Sequence, residues 1–309
     1  MDSPPRPDGP AVRDGKSYSA IAHLAENVLP FVAMAKGLRE QGLSAPQILE
    51  ADLELGLLLV EDLGEERLVT GDPPTLMEER YAAAVDVLVH LHGRRVPDRV
   101  AVAPHVEYHI PSYDMDAFII EAELLLDWYL PRLGVKIGAE ARAEFQALWR
   151  RVLDPALDLR PTWVLRDYHS PNLLWLPKRR DIQQIGILDF QDALLGPAAY
   201  DVASLLQDAR VDVAEAAELA LLSRYVRRRR STDPEFDPSV FIKTYVTLAA
   251  QRASKILGIF ARLDVRDRKP QYLRHMPRVW NYLQRSLAHP VLGHLNIWYG
   301  DHVPSLKTL

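Results

Sequence analysis

The chain has 309 residues, and its 37 Lys and Arg against 42 Asp and Glu leave a formal net charge of −5. That balance gives no general attraction to nucleic acid or to an anionic membrane surface, and 48% hydrophobic residues suit an ordinary globular protein with a sizeable core. There is no cysteine, which excludes disulfides, thiol catalysis and cysteine-ligated zinc. No apolar run approaches the roughly 20 residues that span a bilayer. The opening MDSPPRPDGPAVRDGK lacks the apolar stretch of a secretory signal. A cytoplasmic location is the expectation.

Residues 1–16 carry four Pro and two Gly among charges and are expected to be loop or disordered. Residues 18–41 read as helix, with Ile21, Leu24, Val28, Phe31, Val32 and Ala35 near helical spacing; Pro30 kinks it or marks two helices, and Gly42 ends it. Two apolar runs, 47–51 and 55–60, separated by Asp52-Leu53-Glu54, suit a hairpin, after which Glu61-Asp62-Leu63-Gly64 breaks the pattern. Residues 76–92 place Tyr81, Val85, Leu88 and Leu91 on one helical face, and 114–130 and 139–153 are two further amphipathic segments. Residues 162–190 stand out as three short β-like runs joined by polar turns. Helices resume at 201–210, 213–230, 238–263 and 276–288. The coarse reading is an α+β chain: a small β-containing N-terminal part, then a large helical part with a β insert.

The insert holds the chemistry. In WVLRDYHSPNLLW at 163–175, two apolar runs flank Arg166, Asp167, His169 and Asn172. A further run, 184–188, ends in Asp189-Phe190. Asp167, Asn172 and Asp189 therefore sit at the edges of short β segments within 23 residues, where two carboxylates and an amide oxygen can converge. Asp and Asn also abound in turns because their side chains bond nearby backbone, so the single spacing is weak and the combination stronger. Hard cations such as Mg2+ take one or two carboxylates plus phosphate oxygens, and phosphoryl transfer needs both the metal and a group that orients the attacking hydroxyl. An Asp, an Asn five residues on, and a second Asp after the next hairpin match the protein-kinase arrangement. For His169 a packing or hydrogen-bonding role in the loop is expected. Asp201, ahead of a helical run, reads most simply as an N-cap.

Taken together, RDYHSPNLLWL and ILDFQDALLGPAAYDVASLL resemble the aminoglycoside phosphotransferase and choline kinase-like family, whose usual forms are H-G-D-x-x-x-x-N and I-D-[FW] followed by G and [YF]-D-[LIV]-A. Arg166 stands where the Arg of the protein-kinase H-R-D motif stands, with Leu165 in place of its His. Within the family the chain is most similar to bacterial kinases that phosphorylate the anomeric hydroxyl of N-acetylmuramate and N-acetylglucosamine in cell-wall recycling. LLLVEDLG at 57–64, VLVHLH at 87–92, YDMDAFIIEAELLLDWYLP at 113–131 and LAAQRASKILGIFARL at 248–263 carry the likeness over most of the chain from about residue 40.

The resemblance implies a protein-kinase-like two-lobe fold, with a partial, truncated N-terminal lobe and hinge at 1–64 and a C-terminal catalytic and substrate lobe at 65–309. It implies ATP and Mg2+ as cofactors and a small amino sugar as partner, with an aminoglycoside, a choline-like alcohol or homoserine as the alternative acceptor. It makes Asp167 the catalytic base, Asn172 and Asp189 metal ligands, and Asp201 a buried brace of the catalytic loop. Glu61, Asp62 and Leu63 become the nucleotide hinge. Gln191, Asp192, Glu123, Asp127 and Arg252 become candidates to face the sugar.

One departure matters. The family places a phosphate-covering loop on strands ahead of the hinge, yet no Gly-rich segment precedes residue 61. Lys16 and Lys36 are the only lysines there, neither on a β-like run, and Glu26 is expected to face solvent rather than serve as a helix glutamate. Two expectations stay open: a start site placed too late, favoured because the catalytic set is intact, or a kinase-like binding module without catalysis. The basic run at Arg224 and Arg227–Arg230 reads as a solvated helix end, and His90 and His92 as packed helix residues.

Overall fold

The structure is a computed structural model and describes residues 10–304. Its strands form six separate antiparallel pairs among the described residues. The first corrects the loop expected at the N-terminus. Ala11–Arg13 pairs with Lys16–Ser17 across Asp14-Gly15, whose φ values of 48° and 74° suit a tight hairpin turn. Lys16 thus lies on a strand after all, while residues 1–9 fall outside the described part.

The helix expected at 18–41 is two helices, Tyr18–Ile21 and Leu29–Glu40, with Glu26 in the bend between them. Pro30 falls in the first turn of the second, where no partner for an N–H is needed, so it starts a helix rather than kinking one. Gly42, at φ 81°, ends it. Ile48–Asp52 and Leu57–Val60 form the expected hairpin, and Glu78–His92 buries Tyr81, Val85, Leu88 and Leu91. Two further hairpins, Val69–Thr70 with Thr75–Leu76 and Arg99–Ala103 with Val106–His109, are not expected from the sequence.

The β insert is a nested arrangement. Leu173–Trp175 pairs with Ile185–Ile187, while Thr162–Val164 pairs with a further strand, Leu194–Gly196. Leu29–Glu40 fixes this insert at two points. A Cβ on Gly37 would lie 2.7 Å from the Trp163 ring, so only glycine lets the helix approach so closely. Phe31 stacks on Phe190 at 4.8 Å between ring centres.

By packing, the chain forms two compact units. One runs to Tyr113 and resumes over Pro161–Pro238; the other comprises Asp114–Arg160 and Ser239–Leu309. This division by packing does not bear on the boundary expected at residue 64. The second unit is helical: Met115–Leu124, Ala139–Leu157, most of Pro238–Val265, Met276–Leu287 and Gly293–His302. The segment expected as one helix at 114–130 widens into a π-helical turn at Leu125–Tyr129, just ahead of Pro131, which has no N–H to donate. Phe145 packs against Trp298 at 4.7 Å, and Gly258 presses on the backbone of Leu124, where an added Cβ would fall 2.3 Å from the carbonyl carbon. No helix among the described residues is long and apolar enough to cross a membrane.

In the basic run Arg227, Arg228 and Arg230 are exposed, as a solvated helix end would have them, while Arg224 and Arg229 are engaged. Arg224 grips Asp86 at 2.8 and 2.7 Å, Arg228 reaches the same carboxylate at 3.2 Å, and buried Arg229 pairs with Asp233 at 3.0 Å. His92 is buried, with Nδ1 2.8 Å from the Tyr225 hydroxyl. Its burial, then the nearby Arg229, push its pKa down to about 3.

Two outcomes follow. Gly258→Ala should cost about 1–3 kcal/mol through overpacking against Leu124, read as a lower Tm; a wild-type Tm would mean that the helices can part without cost. In the unfolded chain His92 takes up a proton near pH 6.5, whereas in the fold it stays neutral to about 3. The stability held by the neutral ring is thus complete above about 6.5 and lost as pH falls, by about 2 kcal/mol at pH 5. Urea unfolding of the wild type should show that loss between pH 7 and 5, and His92→Gln should show less of it; equal slopes would rule His92 out as the source.

Candidate active site

The buried strand Thr162–Val164 delivers the chain to Leu165, Arg166 and Asp167. Arg166 has φ +64°, a left-handed conformation that costs on the order of 1 kcal/mol or more for a residue with a side chain. Its neighbours hold it there. Asp201, with no solvent exposure, accepts hydrogen bonds from the backbone N–H of Leu165 at 2.7 Å and of Arg166 at 3.0 Å. Ser204 Oγ donates to the Arg166 carbonyl at 3.2 Å. The Arg166 guanidinium donates to the Ala22 carbonyl at 3.0 Å and lies 5.3 Å from the centre of the Tyr113 ring. Asp201 does not cap its own helix, Ala199–Leu206, whose N-cap is Ala198; its carboxylate serves the loop instead.

A second buried acid, which the sequence reading missed, holds the far side. Asp208 accepts from Ser170 N at 2.9 Å, from Ser170 Oγ at 2.5 Å and from Arg210 N at 2.8 Å. The available signal was an acid two residues after the apolar helix Ala199–Leu206 and seven beyond Asp201. His169 is packed into the loop at 5% exposure, its Nε2 3.6 Å from Asp167 Oδ1 and 3.4 Å from Arg210 Nη1.

Between the two braces, Asp167 presents a half-exposed carboxylate. The Asn172 amide nitrogen donates to the Asp167 carbonyl at 3.0 Å and to Asp189 Oδ2 at 3.1 Å. Both of its protons are thereby used, which leaves Oδ1 as the acceptor still available. Asp189 is also left-handed, at φ +58°, and its Oδ1 accepts from Gln191 Nε2 at 2.8 Å. The structure thus brings Asp167, Asn172 and Asp189 together, with Gln191 joined through Asp189. An amide oxygen and a carboxylate side by side are oxygen donors suited to Mg2+ shared with phosphates. Among the described residues no group of three or more His, Asp or Glu could hold a metal by itself.

Asp192 Oδ1 accepts from Ala25 N at 2.6 Å, which ties the bend between the first two helices. Glu61 accepts from Gln47 N at 3.1 Å and pairs with Arg179 at 2.5 Å; Asp62 closes its own turn on Gly64 N at 2.8 Å; Leu63 abuts Gly186. In the second unit, buried Glu123 accepts from Arg142 at 3.0 Å and Gln146 at 2.6 Å, and Asp127 pairs with the same Arg142. Arg252 is buried on Pro238–Val265.

An α+β fold that braces a carboxylate five residues ahead of an amide, with a second carboxylate against that amide, defines a kinase-like phosphotransferase. Residues 16–238 match the family described as the phosphotransferase enzyme family, and the chain belongs to it. It is 38% identical to an N-acetylmuramate/N-acetylglucosamine kinase of Caulobacter vibrioides, over 98% of this chain and 85% of that one. It is 36% identical to a kinase of the same name from Pseudomonas aeruginosa, over 85% and 74% of the two chains. Among solved structures it is similar to a choline/ethanolamine kinase family protein from Mesorhizobium loti, with TM-score 0.56, 14% identity and coverage of 87% and 81%. It is also similar to a choline kinase from Streptococcus pneumoniae, with TM-score 0.53, 14% identity and coverage of 83% and 80%. At such identity these two bear on the fold alone, which is the α+β, two-lobe kinase-like fold.

Asp208→Asn keeps the size of the side chain but turns part of an acceptor into a donor facing Ser170. It should lower stability by about 1–3 kcal/mol and reduce kcat more than it raises KM. A variant with lower stability but unchanged kcat would confine Asp208 to folding.

Proposed function

We propose that this enzyme is an ATP- and Mg2+-dependent kinase that phosphorylates the anomeric hydroxyl of N-acetylmuramate and N-acetylglucosamine, in the cytoplasm, as a step in reusing cell-wall sugars. The observation that carries the catalytic part is the Asn172 amide held between the Asp167 carbonyl and the Asp189 carboxylate. The relatives' shared name supports the choice of sugar.

In this reading Asp167 accepts the proton of the attacking hydroxyl. The hydroxyl oxygen forms a bond to the γ-phosphorus as the bond to the β-phosphate oxygen breaks, and ADP leaves. Asn172 Oδ1 and the Asp189 carboxylate would hold Mg2+, which would supply positive charge against the nucleotide phosphates. Asp201 and Asp208 keep the loop in one conformation, so that little orientation is lost on the way to the transition state. The backbone at Glu61, Asp62 and Leu63 receives the adenine. Gln191, Asp192, Glu123, Asp127 and Arg252 are the side chains assigned to the sugar.

A coupled ADP-release assay with both sugars tests the reading. Asp167→Asn should lose about 10²–10⁴-fold in kcat, the usual contribution of a general base, while its Tm stays at the wild-type value. Full turnover by that variant would remove Asp167 from the mechanism, and a wild-type chain that phosphorylates neither sugar would remove the sugars.

A further inference from the structure

Arg210 stands at the end of a line of short contacts that leads to Asp167. Its Nη1 lies 3.4 Å from His169 Nε2, and that same nitrogen lies 3.6 Å from Asp167 Oδ1. A guanidinium can only donate, so Nε2 offers Arg210 an acceptor. No acid among the described residues pairs with the Arg210 guanidinium. Across the edge of the imidazole, the charge it faces is the Asp167 carboxylate.

The contact is held from both ends. His169 is 5% exposed; its N–H donates to the Asp167 carbonyl at 3.0 Å and its carbonyl accepts from Asn172 N at 2.9 Å, so the ring has little freedom. Its Nδ1 is closed off from solvent without a hydrogen-bond partner, which leaves Nε2 as the edge that meets other groups. One carboxylate fixes both sides of the contact. Asp208 Oδ2 accepts from Ser170, the neighbour of His169, and Asp208 Oδ1 accepts from the Arg210 N–H at 2.8 Å. All of these residues lie in the first unit.

The braces at Asp201 and Asn172 act on backbone. They fix where Asp167 stands, but a half-exposed carboxylate still turns about its own side-chain bonds. A fixed positive charge behind the imidazole edge favours the rotamer that keeps Oδ1 on that side. We infer that Arg210 is a positioning residue: acting through His169, it holds the Asp167 carboxylate in the direction from which it meets the attacking hydroxyl. The inference rests on the reading of Asp167 as the base. A misplacement on the order of 1 Å at a reacting group costs about 100-fold in rate, so the effect belongs in kcat rather than in substrate affinity.

The test is a double-mutant cycle on the full chain, with ATP and each of the two sugars: Arg210→Met, His169→Leu and both together. Arg210→Met should lower kcat about 10–100-fold and leave each KM within about 2-fold of the wild type. In the His169→Leu background the same substitution should cost less than about 3-fold, because the group it acts through is gone. Guanidinium ion added to Arg210→Ala should restore part of the lost kcat. An unchanged kcat in Arg210→Met overturns the inference. So do losses that multiply in the double variant, which would make Arg210 independent of His169, and a raised KM with kcat kept, which would put Arg210 on a substrate. Should His169→Leu fail to fold, the guanidinium experiment decides: restored kcat at an unchanged KM supports the inference, and no restoration overturns it. A wild-type chain inactive on both sugars, or full turnover by Asp167→Asn, overturns the reading above and this inference with it; either result is told apart by involving no variant of Arg210 or His169.

Discussion

The Asp201 carboxylate and the two backbone N–H groups it accepts are the constraint on which the site depends. Arg166 takes a left-handed turn so that the residue after it leaves the buried strand with its carboxylate half exposed. Left to itself, such a turn would relax. A fully buried acid prevents this, because any departure would leave a charge without its donors in a low-dielectric interior. The cost of burying Asp201 is thus offset only while the loop keeps its shape, and the loop keeps its shape only while Asp201 is buried.

The same logic recurs on the far side of the loop. Asp208 takes both the N–H and the hydroxyl of Ser170, and Asn172 then closes the span by bonding the Asp167 carbonyl. Packing carries these restraints outward. Phe31 stacks on Phe190, next to Asp189, and Gly37 admits Trp163, which precedes the loop. One helix, Leu29–Glu40, therefore touches the segments that bear two of the converging carboxylates. Rigidity of this kind suits the proposed roles of a base and a metal-binding pair, which would act without reorganising.

The second unit is built on a different economy of charge. Its buried acids are matched by cations and amides, and the glycine crossing at Gly258 brings the helices that bear Glu121 and Lys255 close enough for the pairing.

Much of this was legible along the chain. The hairpin at 48–60, the helix that buries Tyr81, Val85, Leu88 and Leu91, and the approach of Asp167, Asn172 and Asp189 depend on periodicity and on turns between neighbouring strands. Such signals are local, and the sequence carries them in order. Asp14-Gly15 was equally local but was masked by the prolines around it. What could not be read were partners far apart. Asp208 meets Ser170 across 38 positions, Asp192 meets Ala25 across 167, and Thr162–Val164 finds Leu194–Gly196 rather than the next strand. By itself the sequence determined which residues are able to carry chemistry and which stretches form helices and hairpins. Tertiary structure alone decided which buried acids hold the loop and that Asp192 ties a bend. The reason is physical: a side chain's charge is written in the sequence, but whether that charge is met depends on what the fold brings within about 3 Å of it.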